Sequence, residues 1–335
     1  MIVGLSYDLK EDVSLGTGWP DDALEEYDSK ETVEAIAHAL EVQGHSVVFL
    51  GGGREFLTSI QRQRVDFVFN IAEGLGNRRS REAQVPSVLE MLDIPYSGSD
   101  PQCLAICLDK PLTKKLVATA GVATPRWRVF TDVAQLKEEN WDGFPFPVFV
   151  KPSHEGSSKG IRYRCQAQNV RQTIELAAEL LSSYQQPVMV EEYINGDEIT
   201  VGILGNSPPR ILGVMRILPR DRGTDFIYSL EVKRGWENLV EYECPARLNP
   251  GVLKKIVKSS MSAFKVLGCR DIVRIDFRVS SSGVPYFLEI NPLPGLSPYN
   301  SDVPIIASKS GWTYDDLIAA IMDTALQRYT SCILQ

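Results

Sequence analysis

The sequence lacks a long apolar run. None of its 335 residues falls in an uninterrupted apolar stretch near the roughly 18 residues that a membrane-spanning helix needs. The N-terminal segment turns polar and acidic after seven residues and has no basic start, so it does not read as a signal peptide. We therefore expect a cytoplasmic protein without membrane segments.

Soft metal ligands are also scarce. The six cysteines form no CxxC pair, and only three histidines are present, so a histidine-based zinc site is not predicted. Cys103 and Cys107 fit one face of a helix. We interpret the cysteines as reduced, mostly buried thiols of a cytosolic protein.

Two familiar nucleotide-binding patterns are missing. No G-x-x-x-x-G-K-[ST] loop occurs, and no GxGxxG turn follows a predicted strand. Positive charge is in deficit as well: 35 Lys+Arg stand against 43 Asp+Glu, a net charge of −8. A negative chain repels nucleic acid, so no such partner is expected, whereas a small anionic ligand feels only local charge.

The elements that are present alternate in type. Strand patterns at Ile2–Tyr7, Ser46–Leu50 and Val65–Asn70 are separated by helical patterns, which predicts a parallel sheet covered by helices. Later strand patterns, including those at residues 188–191, 198–204 and 210–218, follow one another directly, as in an antiparallel sheet. The length suggests two domains or a little more, and the longest mobile loop is predicted at Pro219–Asn238.

One loop has the composition of a phosphate site. Lys151 ends a strand pattern and leads into a turn rich in glycine and serine up to Gly160. Small residues let backbone N–H groups approach phosphate oxygens, and lysine and hydroxyl groups add charge-assisted bonds. A solvent-exposed β-turn is the competing interpretation.

A second group of residues has the composition of a magnesium site. Arg274 and Asp276 share one face of a strand, and Glu289 and Asn291 share one face of another. If the two strands pair, three oxygen ligands and one cation converge, and such oxygens are the ligands that Mg²⁺ prefers. Surface salt bridges on a half-exposed sheet are the alternative.

Taken in order, seven segments resemble the ATP-grasp superfamily, most closely its D-alanine–D-alanine ligase branch, from about Asp93 to the C-terminus. The segments are IPYSGSD (Ile94–Asp100), LDKPLTK (Leu108–Lys114), GVATPRW (Gly121–Trp127), VKPSHEGSSKGI (Val150–Ile161), VEEYINGDEITVGIL (Val190–Leu204), RIDFR (Arg274–Arg278) and LEINPLPGLSP (Leu288–Pro298).

This resemblance implies a mixed α/β fold of three domains, at residues 1–103, 104–186 and 187–335. It implies an ATP-dependent carboxylate–amine ligase that works through an acylphosphate, with two Mg²⁺ ions (Mn²⁺ as the alternative ion), amino-acid-like substrates and a homodimer as the common state. By the same resemblance the ATP-binding residues are Lys110, Lys151, Ser157, Ser158, Glu191, Glu192, Ile194, Glu198 and Lys233. The metal ligands are Asp276, Glu289 and Asn291, and the catalytic residues are Arg274, Lys233, Gly295 and Ser157.

The sequence departs from that branch where the substrates bind. The family's glycine-rich entry stretch with its glutamate is absent, and Glu11, followed by an insertion at Ser14–Tyr27, is the candidate replacement. The other candidate substrate residues are Glu73, Arg234, Ser301 and Asp302. We therefore expect a ligase whose substrates are not both D-alanine.

Three alternatives stay open. The chain could be a cell-wall D-alanine–D-alanine ligase with a remodelled N-terminus. It could bind ATP without ligase activity, although the set of Asp276, Glu289, Asn291 and Arg274 argues against this. A dinucleotide-dependent oxidoreductase fits only the N-terminal strand–helix order.

Overall fold

The computed structural model describes residues 1–13, 18–221 and 226–330. Its strands are β1 (Ile2–Ser6), β2 (Ser46–Gly51), β3 (Phe67–Asn70), β4 (Trp127–Phe130), β5 (Val148–Pro152), β6 (Gln166–Ala167), β7 (Val188–Glu192), β8 (Gly196–Leu204), β9 (Arg210–Pro219), β10 (Val240–Glu243), β11 (Ile272–Ser280) and β12 (Pro285–Asn291). Its α-helices are α1 (Lys30–Val42), α2 (Gly53–Arg62), α3 (Gln84–Met91), α4 (Pro101–Leu108), α5 (Lys110–Thr119), α6 (Val133–Glu138), α7 (Val170–Tyr184), α8 (Leu230–Arg234), α9 (Trp236–Leu239), α10 (Pro250–Val266), α11 (Asp302–Lys309) and α12 (Tyr314–Thr330).

The N-terminal sheet is parallel, in the order β2-β1-β3, as the alternating pattern predicts. β3 is buried along its whole length, which is the burial that apolar strands of a covered parallel sheet require. Helix α1 buries one stripe, including Val33, Ile36 and Leu40, against this sheet and against α12. The first and last parts of the chain therefore share one core.

The middle sheet has the order β4-β7-β5-β6, and all its pairs are antiparallel. The expectation that β7 joins the next two strands in one sheet is wrong. β7 lies between β4 and β5 instead, because its apolar run fits any buried sheet and carries no information about its partners. The proposed domain boundary after residue 186 separates β7 from the sheet in which it pairs.

The C-terminal sheet is antiparallel, in the order β10-β9-β8-β11-β12. Its centre is fully buried, with Val201, Ile275 and Phe277 at 0% exposure, and helix α10 packs its apolar face on this core. Helices α4 and α5 pack on the same core through Cys103, Cys107 and Val117. The site described below lies on the opposite, polar face of β11 and β12.

The segment predicted as a long mobile loop at Pro219–Asn238 is only partly a loop. It contains α8 and most of α9, and residues 222–225 lie outside the described residues. Leu230 and Val232 of α8 are buried, which anchors the charged side chains that follow them. In the parts of the chain that the structure describes, no helix combines the length and apolar character that a bilayer crossing needs.

Candidate functional site

A narrow cavity of about 80 Å³ lies between the middle and C-terminal sheets. Apolar side chains form one part of its wall, and titratable side chains form the other. The lining residues are Phe149, Lys151, Ser158, Ile161, Glu191, Glu192, Tyr193, Ile194, Glu198, Ile227, Tyr228, Lys233, Asp276, Arg278, Leu288, Glu289 and Asp302. We call this space the first cavity.

The predicted pairing of the two acidic strands is confirmed. In the antiparallel register of β11 and β12, Asp276 lies opposite Glu289 and Arg274 lies opposite Asn291, so all four share one face. Like charges directly opposite on a sheet repel, and a cation must offset them. Arg274 does so in part: its guanidinium lies 2.9 Å from Asp276 and 3.5 Å from Glu289.

The environment drives the pKa values of these carboxyl groups apart. Burial raises the pKa of Asp276 to about 6, with only partial compensation by Arg274. Burial alone would raise the pKa of Glu289 as well. The nearby cations Lys110, Lys151 and Arg274 outweigh burial and lower the pKa of that carboxyl far below its ordinary value. Both groups are therefore carboxylates at neutral pH.

Buried lysines approach the site from two elements. Lys110 Nζ lies 3.2 Å from a Glu289 oxygen and donates to the Glu155 carbonyl at 2.5 Å. Lys151 Nζ lies 2.5 Å from the Glu191 carboxylate. Lys114 contacts the other oxygen of Glu191 at 3.0 Å, and burial lowers the Lys114 pKa to about 8.

These ion pairs determine which groups residues 191–194 present to the first cavity. The buried Glu191 side chain is held by two lysines, so the carboxylate stabilises them and does not point freely into the cavity. The Glu192 carboxylate accepts from the Arg126 N–H at 3.3 Å. Ile194 is 7% exposed and contributes apolar wall. Glu198 is bound by Arg278 at 2.8 Å, and burial raises the Glu198 pKa.

The glycine- and serine-rich loop is a constrained turn with buried anchor points. Ser157 and Ser158 both adopt left-handed backbone conformations, with φ of 49° and 61°. Such conformations cost energy in residues with a side chain and persist only where the surroundings hold them. Lys110 N donates to the carbonyl of Ser153 at 3.0 Å, and Gly160 N donates to Asp22 at 2.9 Å.

A larger cavity of about 220 Å³ adjoins the first, with Tyr228, Lys233 and Asp302 common to both walls. We call it the second cavity. Both acidic and basic side chains line its wall. The lining residues are Lys10, Glu25, Glu26, Tyr27, Asp28, Ser29, Thr32, Ile71, Glu73, Ser157, Tyr228, Leu230, Lys233, Arg234, Arg274, Leu293, Pro294, Gly295, Leu296, Ser297, Asn300, Ser301 and Asp302.

Most of the residues proposed from sequence for substrate contact line this cavity. Asp302 lies 3.3 Å from the Arg274 guanidinium, and Ser301 Oγ accepts from Ser297 N at 3.1 Å. Arg234 contacts Glu25 of the inserted segment. Burial, together with the neighbouring carboxyl group of Glu82, raises the pKa of Glu73 well above its ordinary value.

Glu11 is not brought to the cavity. It is exposed on the short helix Lys10–Asp12, and Lys10 lines the cavity in its place. The acidic groups on that side come from the inserted segment, residues 18–27 of which are described, and from Asp28 just after it. Glu25, Glu26 and Asp28 line the cavity on the side where Glu11 was the candidate from sequence.

Lys233 lines both cavities, and Gly295 lines the second. Lys233 Nζ lies 5.2 Å from the centre of the Tyr228 ring, and burial next to Arg274 lowers the Lys233 pKa. A Cβ on Gly295 would lie 2.8 Å from Ser301 Oγ, so a larger residue at this position would have to displace the Ser301 hydroxyl.

A buried ionic network links the inserted segment to the loop. Arg81, which is 1% exposed, contacts Glu26 at 2.6 Å and Glu155 at 3.2 Å. Lys159 contacts the same two carboxylates at 3.0 and 2.6 Å. In this network each of the two cations contacts both carboxylates.

The donor set fits Mg²⁺. Asp276, Glu289 and Asn291 present carboxylate and amide oxygens on one face, and such hard oxygen ligands suit this ion. The Asn291 Nδ2 atom is buried and, among the described residues, has no hydrogen-bond partner, which indicates that the polar surroundings of this side chain are incomplete in the isolated protein.

Four contributors were missed from the sequence. Lys114 follows Lys110 by four residues and so shares its helix face, a signal that was available. Arg81 and Glu26 carry no local signal, because their pairing joins residues 55 positions apart. Tyr228, whose hydroxyl lies 2.8 Å from that of Tyr242, lies outside the seven segments that carry the family resemblance.

Comparisons with known proteins extend over nearly the whole chain. The family model described as D-ala D-ala ligase C-terminus matches residues 116–323. The D-alanine–D-alanine ligase of Aquifex aeolicus is 34% identical over 294 residues, which cover 88% of this chain and 94% of that protein. The uncharacterized protein y4sG of Sinorhizobium fredii is 32% identical over 304 residues, 88% of each chain.

Solved structures show the same fold. The crystal structure of the D-alanine–D-alanine ligase from Bacillus anthracis complexed with ATP aligns with a TM-score of 0.75 at 24% identity, over 99% of both chains. The VanG D-Ala:D-Ser ligase from Enterococcus faecalis aligns with a TM-score of 0.71 at 22% identity, over 97% of this chain and 99% of that one.

Proposed function

Because the chain belongs to the D-alanine–D-alanine ligase family of ATP-grasp proteins, we propose that it joins a carboxylate to an amine at the expense of ATP, releasing ADP and phosphate. The observation that carries this proposal is the face of β11 and β12, where Arg274, Asp276, Glu289 and Asn291 converge. We place the enzyme in the cytoplasm, in keeping with the free thiols of its described cysteines.

The first cavity is the proposed ATP site. Its apolar wall, with Phe149, Ile194 and Leu288, suits an adenine ring, and Glu198, which also lines the cavity, would accept hydrogen bonds from ribose hydroxyls. Lys151 and Lys110 face the acidic strands and would neutralise phosphate oxygens. Ser157 and Ser158 belong to the turn that would cover these oxygens.

Asp276, Glu289 and Asn291 would hold the metal. Bound there, Mg²⁺ supplies charge neutralisation and orientation of the phosphate groups. Without a metal, Arg274 and Lys110 offset the negative charge of the two carboxylates.

The reaction then proceeds in two steps. The substrate carboxylate attacks the γ-phosphorus, an oxygen–phosphorus bond forms, and the bond to ADP breaks. The amine attacks the acyl carbon, and phosphate leaves with the bonding electrons while the amine loses a proton. Arg274, whose pKa is raised by its acidic neighbours, stays charged to stabilise the oxyanion, with Gly295 and Lys233 beside it.

The second cavity is the proposed site of both amino-acid-like substrates. We propose that these are not both D-alanine. Support comes from Arg234 and Glu25, an ion pair on the cavity wall, and from Lys10, which lines the cavity while Glu11, the candidate for the family's glutamate, does not. A genuine D-alanine–D-alanine ligase is the second candidate, and it is favoured by the activities in the names of the relatives.

A substrate panel separates the two candidates. ADP release is measured with pairs of D- and L-amino acids, and products are identified by mass spectrometry. The altered-substrate proposal predicts faster ADP release with another amino acid than with D-alanine alone. Robust turnover with D-alanine alone, giving the dipeptide, would sink it. ATP binding without ADP formation on any pair would instead favour a nucleotide-binding protein without ligase activity.

A further inference from the structure

Three cysteine thiols meet in the interior, outside the walls of both cavities. Cys103 and Cys107 lie one turn apart on α4, and Cys269 lies just before β11. Cys103 Sγ is 3.8 Å from Cys107 Sγ and 3.6 Å from Cys269 Sγ. All three sulfur atoms lie within 4.8 Å of one another, and none of the three residues is more than 5% exposed. We call this group the thiol cluster.

The spacing of the sulfur atoms matches that of ligands around one ion. Two sulfurs bound to the same tetrahedral ion at about 2.3 Å are about 3.8 Å apart. The thiol cluster comes within 0.2 Å of this spacing at both measured pairs. All its donor atoms are sulfur, and such a set selects soft cations over the hard ones that bind oxygen.

The surroundings fix the cluster without any help from an ion. The Asp100 side chain caps α4 by accepting from Cys103 N at 2.8 Å, and its other oxygen lies 2.7 Å from the Arg270 guanidinium. Ser99 Oγ accepts from Arg270 N at 2.9 Å. These bonds tie the first turn of α4 to the segment that carries Cys269, so the three thiols are preorganised.

We propose that Cys103, Cys107 and Cys269 form a binding site for one soft, thiolate-preferring cation, Zn²⁺ or Cu⁺. On binding, the coordinating thiols release their protons to solvent and sulfur–metal bonds form, with no change of oxidation state. The ion joins α4 to the start of β11, residues 166 positions apart, so its effect is on the stability of the fold.

The test uses the full-length protein, treated with a chelator and kept reduced by a phosphine. Excess Mg²⁺ occupies the acidic site. Zn²⁺, or Cu⁺ under anaerobic conditions, is titrated in, and bound metal per chain is measured by equilibrium dialysis. Co²⁺ replaces Zn²⁺ in a parallel titration, since thiolate ligands give it charge-transfer bands that carboxylates do not.

The proposal predicts one equivalent bound, thiolate bands with Co²⁺ and a raised melting temperature. Cys103→Ser should weaken binding by about 100-fold or more and abolish the temperature rise. Cys165→Ser is the matched control, a buried thiol outside the cluster, and should bind like the unaltered protein.

Sulfur ligation of either ion supports the site, and the tighter of the two identifies its occupant. Absence of binding by the unaltered protein, a Co²⁺ complex without thiolate bands, or equal affinity in Cys103→Ser would overturn the proposal. The spectrum of the unaltered protein keeps the test decisive even where the variant folds poorly.

Discussion

At the scale of single residues, the chemistry of the site depends on two carboxylates that face each other across a strand pair. Asp276 and Glu289 are directly opposite, and Arg274 and Lys110 offset their repulsion. Of the two, Glu289 contacts both cations, so it is the residue that the proposed metal and the lysine proposed to contact phosphate would share.

Glu289→Gln should lower turnover by two or more orders of magnitude while the fold is kept, because the amide is uncharged and nearly the same size. ADP release and the melting temperature are measured together. Glu241→Gln, an exposed glutamate on β10 of the same sheet, is the control and should keep normal turnover. Near-normal turnover in Glu289→Gln would refute the metal assignment.

Glu82 gives a prediction on the pH dependence of stability. Burial raises its pKa from 4.5 to about 7, with Arg81 opposing the shift. The folded state therefore binds a proton that the unfolded state releases, so the stability that this group contributes is full below pH 4.5 and is lost as pH rises through 7.

Glu82→Gln should remove this pH-dependent loss of stability, which is on the order of 3 kcal/mol in the free energy of unfolding at pH 8. Urea unfolding of both proteins at pH 5 and pH 8 measures it, and the unaltered protein should lose more stability between the two than the variant does. Equal losses in the two proteins would show that Glu82 is not the group that takes up the proton.

At the scale of elements, the inserted segment holds the loop over the site. Glu26 in that segment shares Arg81 and Lys159 with Glu155 of the loop. Arg81 and Lys159 therefore each contact two carboxylates. Without the charge on Glu26, these two buried cations would share the single carboxylate of Glu155.

Glu26→Gln should therefore destabilise the protein by about 3 kcal/mol, the usual cost of breaking a buried ion pair from one side. Glu34→Gln, which breaks an exposed pair with Lys30 on α1, is the control and should cost a few tenths of a kcal/mol. Chemical denaturation of both variants measures the difference, and a similar small loss in both would contradict the role given to the network.

Features that depend on a pattern of neighbouring residues could be predicted from the sequence. Features that depend on contacts between distant residues could not. The face shared by Asp276 and Glu289 follows from the period of two along each strand, and the structure confirms that the strands pair. The sheet to which β7 belongs, and the pairing of Arg81 with Glu26, depend on contacts between distant parts of the chain. Helix α8 was missed because its pattern is short and charged, and buried Leu230 and Val232 stabilise it.

At the scale of the whole molecule, the two cavities adjoin where the N-terminal, middle and C-terminal parts of the chain all contribute residues to the walls. The first cavity lies between the middle and C-terminal sheets, and the second receives its acidic wall from the N-terminal part. Tyr228, Lys233 and Asp302 line both. A carboxylate held in the second cavity would thus lie beside the γ-phosphate of ATP in the first cavity and beside the amine that attacks it. We propose this proximity as the basis of the reaction.

The claim is tested most directly by following oxygen atoms. The amino acid that gives the most ADP in the panel is labelled with ¹⁸O in its carboxylate, and the released phosphate is analysed by mass spectrometry. An acylphosphate intermediate predicts one ¹⁸O transferred to each phosphate, in step with the amide bonds formed. Phosphate without label, or no phosphate release with any amino acid, would contradict the account.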